Sequence, residues 1–496
     1  MKILGVNIVK VRYLLWILLF LETLVLIRNL DATINPFKSE WSRNRLIQQQ
    51  FNGDEPSYFM FNFSSLHTVL DNYRSLGLPL FIRFYNLFYH GYQFWPFYLF
   101  AIYIASIFFL FWALLKFGFD EIVSFIFVSA LLGNIETSYG LPWFHLYKNL
   151  AYIASEVPSV AFMYISLGFM LLAIRYKNLF IYLVYALSLF FLYQIRPNLT
   201  YIAILAPFWA VALYLAQKTF TTSNLKRVFW YFVLTSWVPL LLFGLLRFAV
   251  LGQFGFATMT GGTLSGHAVH YLNENNVKKL SGESRLIGEE ILRRKRKLTP
   301  PCNMTPIPYG RADVEAECFG PNLMVAWQVV IKYQTGKEPL DDPQKNIEAW
   351  KHVVTLAPFH MTYYHVSTDK ILMRFTSNIL RVEWSRYFQW IIDGGMYGLR
   401  FLLSDQAMNV FYKLCLLLAV AVQFIIRKEP LNRLQIKRWQ RQILAITFVA
   451  LSNFIVGYIL LLLFNYPFDR MFVTITPYMI PALVLWVIPP FWSPSL

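Results

Sequence analysis

Charged residues are scarce in this chain. Asp, Glu, Lys and Arg make up 14% of it, where a soluble domain carries about 25%, so there are too few to cover a water-facing surface. Three further absences narrow the reading. No internal repeat at a fixed period and no low-complexity tract is apparent, which argues against a transporter built from duplicated halves. No A-x-A site precedes LDATINP (30–36), so the first apolar segment reads as a signal anchor rather than a cleaved signal peptide. His145, His267 and His270 show no metal-ligand spacing and read as interfacial or loop histidines.

What the chain has in excess is apolar. Hydrophobic residues make up 57% of it, and its mean hydropathy is +0.46. Runs of about 18 or more apolar residues, the length that spans ~30 Å of hydrocarbon, recur along it. The 15 Trp, 30 Tyr and 46 Phe suit interfacial belts and aromatic packing. The fold class expected is an all-α, polytopic membrane protein. The net charge of +17 is explained chiefly by orientation signals, and no nucleic-acid partner is expected.

Apolar runs and flanking charge mark spans at 12–29, 95–115, 120–136, 156–174, 178–195, 199–217, 228–250, 407–426, 442–464 and 471–489. Ten spans put both chain ends inside. Lys2, Lys10, Arg12, Lys116, Arg175, Lys177, Lys218, Lys226, Arg227 and the run RKEPLNRLQIKRWQRQ (427–442) then fall on the cytoplasmic side, as the positive-inside bias requires. The third span is short, but omitting it would carry 175–177 and 218–227 outside, against that bias.

Three regions follow. Residues 1–250 form an N-terminal membrane region with a first outer loop at 30–94, residues 251–406 an extracytoplasmic segment of mixed secondary structure, and residues 407–496 the C-terminal transmembrane helices. In the first outer loop, YFMFNFSSLHTVLDNY (58–73) and LPLFIRFYNLFYHGYQFW (78–95) mix apolar and polar residues at near-helical spacing, as helices lying in the membrane interface do. In the second segment TGGTLSG (260–266) and TPPCNMTPIPYG (299–310) read as turns, and PQKNIEAWKHVVTLA (343–357) as a helix.

This topology collects ionisable groups at the outer face. They are Asp54 and Glu55 in NGDEPSY (52–58), Glu156 in NLAYIASEVPS (149–159), Arg196 in YQIRPNLT (193–200), and Asp469 and Arg470 in NYPFDRMF (465–472). Charge near hydrocarbon is costly, so such groups usually line a wet cavity or pair with each other. Pro197 breaks the helix after Arg196 and frees backbone groups there. Solvation, headgroup snorkelling for the arginines and a helix-dipole role for Glu156 are the bland alternatives.

The motifs GDEPSY, SEVPS, IRPN and FDRMFVTITPYMIP, in this order and on this side, resemble those of the GT-C glycosyltransferases. The nearest pattern is the polyprenyl-phosphate-sugar-dependent branch of protein O-mannosyltransferases and lipid A aminoarabinose transferases. The resemblance covers 1–250 and 407–496 at motif level, with no counterpart for much of 255–400. It implies a GT-C-like membrane domain, a polyprenyl-phosphate-sugar donor entering from lipid, and an acceptor hydroxyl approaching from the aqueous outside. Asp54 would be the general base. Arg196 and Arg470 would stabilise the leaving phosphate, and Glu55, Tyr58 and Glu156 would bind substrate or orient an arginine. No cofactor and no metal are expected, because two adjacent acids are a poor ligand set for a hard divalent ion. A metal held by outer-loop acids is the alternative, as in relatives with diphosphate donors.

Cys415 reads as a core residue, while Cys302 and Cys318 share an outside compartment that permits a disulfide. The basic run EEILRRKRKL (289–298) reads as a solvated helix end or a contact for an acidic acceptor. The expected home is a bacterial inner membrane with the active site toward the periplasm. The sequons at Asn62, Asn198 and Asn303 would matter only in an endoplasmic-reticulum setting. Two other functions share the scaffold: a polysaccharide polymerase or ligase with a diphosphate lipid donor, and a secondary transporter.

Overall fold

A computed structural model of the protein describes residues 2–3, 6–30, 57–58, 61–72, 74–89, 94–133, 155–217, 222–305, 312–336, 365–402, 433–464 and 474–486. A two-residue β-pair opens the chain, Lys2–Ile3 antiparallel to Val6–Asn7. The other elements are helical. The first five are α1 (Ile8–Asn29), α2 (Leu66–Asp71), α3 (Gly77–Phe88), α4 (Trp95–Phe117) and α5 (Glu121–Gly133). Then come α6 (Glu156–Tyr176), α7 (Leu179–Ile195), α8 (Tyr201–Leu215) and α9 (Thr222–Leu251). A second group comprises α10 (Thr260–Tyr271), α11 (Glu274–Lys278), α12 (Gly282–Lys295), α13 (Ala312–Thr335), α14 (Val366–Val382) and α15 (Trp384–Leu402). The chain closes with α16 (Arg433–Phe464) and α17 (Met479–Trp486).

Among the described residues, five helices are long and apolar enough to cross a bilayer: Trp95–Phe117, Glu156–Tyr176, Pro197–Leu215, Asn224–Leu251 and Lys437–Phe464. The protein is an all-α membrane protein at this level. The third expected span is represented by the 13 residues of α5, a rise of about 20 Å. The expected span 407–426 lies outside the described residues, and 471–489 is described only from 474 to 486.

Local sequence sets the helix ends. Pro96 stands in the first turn of α4, and Gly118 ends that helix in the left-handed region, where a glycine carries no Cβ penalty. Lys177 turns the chain in the same region, and Asn178 caps α7 by accepting from the Phe180 N–H at 2.8 Å. The turn after α4 meets the basic start of α16: Arg438 donates to the Gly118 carbonyl, and the Asp120 N–H to Gln442 Oε1. Arg12 pairs with Glu121 at 2.8 Å. The N-terminus, the 118–121 turn and the 438–442 stretch therefore share one basic face.

α6 is the central helix, buried on nearly every side. It runs parallel to α4, with Tyr103 against Tyr164 and Phe109 against Phe169. Glu156 thus lies at the end of the bundle away from the basic face. α9 is the opposite case: Trp230, Leu234, Leu241, Leu245 and Phe248 form an exposed apolar stripe along it, which has lipid as its natural solvent.

Residues 260–402 have their own core, built from α10, α12, α13, α14 and α15. This corrects the expectation of mixed secondary structure in 251–406, since its described elements are helices. TGGTLSG, read as a turn, begins α10. A Cβ on Gly261 would lie 2.3 Å from the Asp369 carbonyl oxygen and 2.6 Å from the Met373 N, so its glycine permits close helix approach rather than a turn. His267 and His270 are likewise not loop or interfacial residues but fully buried on α10. The helix 343–357 expected from sequence lies outside the described residues. Cys302 and Cys318 are joined in a disulfide, with Cα atoms 5.2 Å apart, tying the chain after α12 to α13.

Candidate functional site

Four of the sequence-derived candidates lie on described chain, namely Tyr58, Glu156, Arg196 and the Cys302–Cys318 pair, whereas Asp54, Glu55 and Arg470 lie outside it. Glu156 opens α6 and Arg196 ends α7, so the antiparallel pairing of these helices brings the two together. Glu156 Oε1 and Arg196 Nη1 are 2.8 Å apart, with side chains only 4% and 7% exposed. Arg196 Nη1 also reaches Ser155 Oγ at 3.3 Å. A buried guanidinium held by a carboxylate and a hydroxyl is fixed in direction before any ligand arrives.

The chain just after GDEP is anchored on an arginine that sequence reasoning missed. Arg74 Nε donates to Ser57 Oγ at 2.8 Å, and its guanidinium lies 5.0 Å from the centre of the Tyr58 ring. Ser57 and Tyr58 are both buried. The segment following Arg74 docks on α7: a Cβ on Gly77 would come within 2.4 Å of the Gln194 carbonyl carbon and the Ile195 N. Only glycine allows α3 to start this close to the end of α7, two residues before Arg196.

Between α2, α7 and α9 lies a small cleft, part of it open to solvent, whose lining includes Asn72, Arg74, Gln194, Phe243, Arg247 and Phe256. Arg247 is 2% exposed, and its Nη2 donates to Thr258 Oγ1 at 2.8 Å. Arg247 Nε and both amide atoms of Gln194 are buried without a hydrogen-bond partner. A signal for Arg247 was present in the sequence: it is an arginine inside a long apolar helix, a position that is rarely idle.

The other ends of the chain converge near the same level. Tyr201 OH donates to Asn453 Oδ1 at 3.1 Å, and Asn453 Nδ2 to the Ile475 carbonyl at 2.9 Å. This joins α8, five residues beyond Arg196, to α16 and to the stretch that follows Arg470. Asp71, at the end of α2, accepts from His365 Nδ1 at 2.9 Å and from the Val366 N–H at 2.7 Å, and so holds the start of α14. Burial pushes the Asp71 carboxyl up, but the bonds from His365 and Val366 outweigh it and hold the group below its ordinary value.

The basic run 289–298 is mostly neutralised within the fold. Arg293 and Arg294 bond Glu290 at 2.7 and 2.8 Å, and Arg296 bonds Glu274 at 2.5 Å. Lys295 is fully buried, and its Nζ donates to the Val269 carbonyl at 2.7 Å and that of His270 at 3.3 Å, where a cation suits the C-terminus of α10. Burial brings the Lys295 ammonium down to about 7 and pushes the Glu315 carboxyl up to about 8. His270 Nδ1 accepts from Asn322 Nδ2 at 3.0 Å, and burial holds this histidine neutral, well below its ordinary value. Among the described residues no group of three or more His, Cys, Asp or Glu side chains is arranged to hold a metal ion.

No protein-family model, no curated protein and no solved structure matches the chain. The functional reading therefore rests on this geometry and on the sequence motifs.

Proposed function

We propose that this protein is an inverting glycosyltransferase with a GT-C-like membrane domain of about ten spans. It would move a sugar from a polyprenyl-phosphate-linked donor to a hydroxyl of an extracytoplasmic acceptor. The observation that supports this most is the buried Glu156–Arg196 pair, 2.8 Å apart, at the end of the bundle away from the basic face. The motif that carries Asp54 is anchored on Arg74 through Ser57 and Tyr58.

In this reading the acceptor oxygen attacks the anomeric carbon from the face opposite the phosphate, and Asp54 takes the hydroxyl proton. The bond between the anomeric carbon and the phosphate oxygen breaks, its electron pair leaves with polyprenyl phosphate, and configuration inverts. Negative charge grows on the phosphate, and Arg196 with Arg470 would oppose it. Glu156 orients Arg196, so the guanidinium needs no reorganisation when that charge appears. Glu55 and Tyr58 would bind sugar or acceptor. Lateral access for a lipid-borne donor agrees with a helical bundle in a bilayer, and the proposed setting is a bacterial inner membrane with this site toward the periplasm.

The test compares wild type with Asp54→Asn, each reconstituted in lipid and given a panel of radiolabelled polyprenyl-phosphate sugars with and without host membrane extract. Acceptor-dependent release of polyprenyl phosphate by wild type, lost in a folded Asp54→Asn protein, supports the transferase and its base. Equal turnover in both removes Asp54 from the role. No turnover with any donor redirects the reading to a diphosphate donor or to transport.

A further inference from the structure

We propose that α14 and α15 form a docking surface for the outer leaflet of the bilayer, with α15 seating an apolar stripe in it and α14 presenting a basic stripe to anionic phospholipid headgroups. This goes beyond glycosyl transfer and does not depend on it, since the surface would hold lipid whether or not a sugar moves. The two helices follow one another in sequence, α14 ending at Val382 and α15 beginning at Trp384. α14 buries Val366, Leu372, Phe375 and Ile379 on one side. Its exposed side carries Ser367, Lys370, Arg374, Ser377 and Arg381, each three or four residues from the next and so on one helix face. Asp369, the one acid of the helix, is buried on the other side, so the charge of the exposed face is wholly positive.

α15, WSRYFQWIIDGGMYGLRFL, has three faces. Trp384, Phe388, Ile392 and Met396 recur every fourth residue, each between 47% and 65% exposed. Ser385, Gln389 and Asp393 form the adjoining polar stripe, with Gln389 Nε2 donating to Asp393 Oδ1 at 3.0 Å. Trp390, Gly394 and Gly395 are buried against protein. Separate protein, apolar and polar faces fit a protein–lipid–water boundary, and a tryptophan at the exposed start of the helix suits the headgroup level.

Two membrane-spanning helices fix the level of this surface. α9 runs parallel to α7, because Tyr182, Tyr185 and Phe190 meet Tyr231, Ser236 and Phe243 in that order. Leu251 therefore ends α9 at the same end of the bundle as Arg196, and Lys370 Nζ donates to the Leu251 carbonyl at 3.2 Å. α15 is held at that end as well. Tyr387 OH donates to the Leu463 carbonyl, Tyr458 OH donates to the Gly395 carbonyl at 2.5 Å, and a Cβ on Gly395 would lie 3.3 Å from Leu462. These contacts clamp α15 to the last two turns of α16, which starts at the basic face and so ends away from it.

Lipid is the occupant this arrangement selects. Leu451, Ile455 and Ile459 of α16 are exposed apolar residues of a spanning helix, so the α15 stripe continues a surface whose solvent is already hydrocarbon. The basic stripe starts at Lys370, beside the outer end of α9, and reaches Arg381, three residues before Trp384. Arg374 lies 3.5 Å from Glu283 with its side chain 70% exposed, a weak pairing that leaves the guanidinium open to water. Cations beside an apolar stripe at this level match the charge of an acidic phospholipid and the depth of its phosphate. A soluble protein or a second copy of this chain would cover the apolar stripe without requiring the cations at membrane level.

The test uses the full-length protein carrying Cys415→Ala, reconstituted in nanodiscs of phosphatidylcholine with a fraction of phosphatidylglycerol. Spin labels at 388 and 392 should collide with oxygen and avoid a water-soluble nickel reagent, and a label at 389 should do the reverse. Equal water access at all three, or exclusion of both reagents from 388 and 392 by a protein partner or second copy, overturns the docking surface. Headgroup contact is read by energy transfer from a dye attached through Ser377→Cys to headgroup-labelled phosphatidylglycerol or phosphatidylcholine. Phosphatidylglycerol should be enriched there on the order of fivefold, the effect of one basic residue close to an anionic surface. Arg374→Gln with Arg381→Gln changes two exposed side chains, so the variant should fold as wild type does and bring the enrichment close to parity. No enrichment in wild type, or the same enrichment in the variant, overturns the headgroup contact.

Discussion

The Glu156–Arg196 pair makes a quantitative demand. At this separation, with an effective dielectric near 20, two unit charges attract by about 6 kcal/mol. Removing one partner leaves the other charged and buried without its counter-ion, at a cost of about 3–5 kcal/mol. Removing both with apolar residues of similar size costs far less, because the desolvation penalty disappears along with the attraction. The perturbation is a double-mutant cycle: Glu156→Leu, Arg196→Met and the double variant, each in lipid bicelles, with unfolding free energy measured by steric trapping. Each single variant should lose about 3–5 kcal/mol, and the double variant no more than about 2 kcal/mol. The coupling should therefore be several kcal/mol. Additive losses would refute the pairing, and single losses under about 1 kcal/mol would show that these groups are solvated. The double variant also separates stability from function. If Arg196 serves a leaving phosphate, that variant should be folded and inactive, whereas a purely structural pair would leave turnover in place.

Three other outcomes are expected. Gly261→Ala should destabilise the protein by about 1–3 kcal/mol or more, read as a lower unfolding midpoint, because its Cβ would meet backbone atoms of α14 at 2.3 and 2.6 Å. Replacing Cys302 and Cys318 with serine should cost about 3 kcal/mol in the chain-entropy model for a loop of this size, and added reductant should lower the wild-type midpoint but not the variant's. The pH dependence has a worked sign. Glu315, raised from 4.5 to about 8 by burial, holds a proton in the folded state that the unfolded state releases. Its contribution is present below 4.5 and lost as pH rises through about 8. Lys295, lowered from 10.5 to about 7 by burial, contributes the opposite slope, present above 10.5 and lost as pH falls through 7. Relative to Glu315→Gln, wild type should lose stability from pH 4.5 to 7, by up to about 1.4 kcal/mol per pH unit. Relative to Lys295→Met, it should gain from 8 to 10.5; flat difference curves would show both groups in contact with water.

The membrane character and much of the helix placement were legible because apolar run length is a direct record of hydrocarbon thickness. The ends of α4, α6 and α7 fall within about two residues of the expected boundaries at 95, 156 and 195, where Pro96, Glu156 and Pro197 punctuate the pattern. The Cys302–Cys318 bridge was legible from compartment alone. TGGTLSG was not, because a glycine looks the same in a turn and in a close helix contact. What distinguishes the two cases is Asp369, a residue more than a hundred positions away. His267 and His270 were misread for a related reason: their burial is created by Phe319, Trp390 and Asn322 on α13 and α15, which no local window contains.

The candidate site was half legible, and the missing half follows a rule. Glu156 and Arg196 stand beside helix breaks, where sequence marks a change of environment. Arg74 and Arg247 do not: Arg74 follows a short helix in an aromatic-rich loop, and Arg247 is embedded in α9. Their importance comes from convergence, as α2 and α9 deliver them to the end of α7. Gly77 makes that convergence feasible, since any side chain there would strike Gln194 and Ile195 and push the start of α3 away from Arg196. The same docking sets Gln194 against the cleft with its amide unbonded, a costly arrangement that packing alone would not favour. Glu156 with Arg196, and Arg74 with Arg247, thus meet at one end of the bundle through contacts that no local stretch of sequence contains.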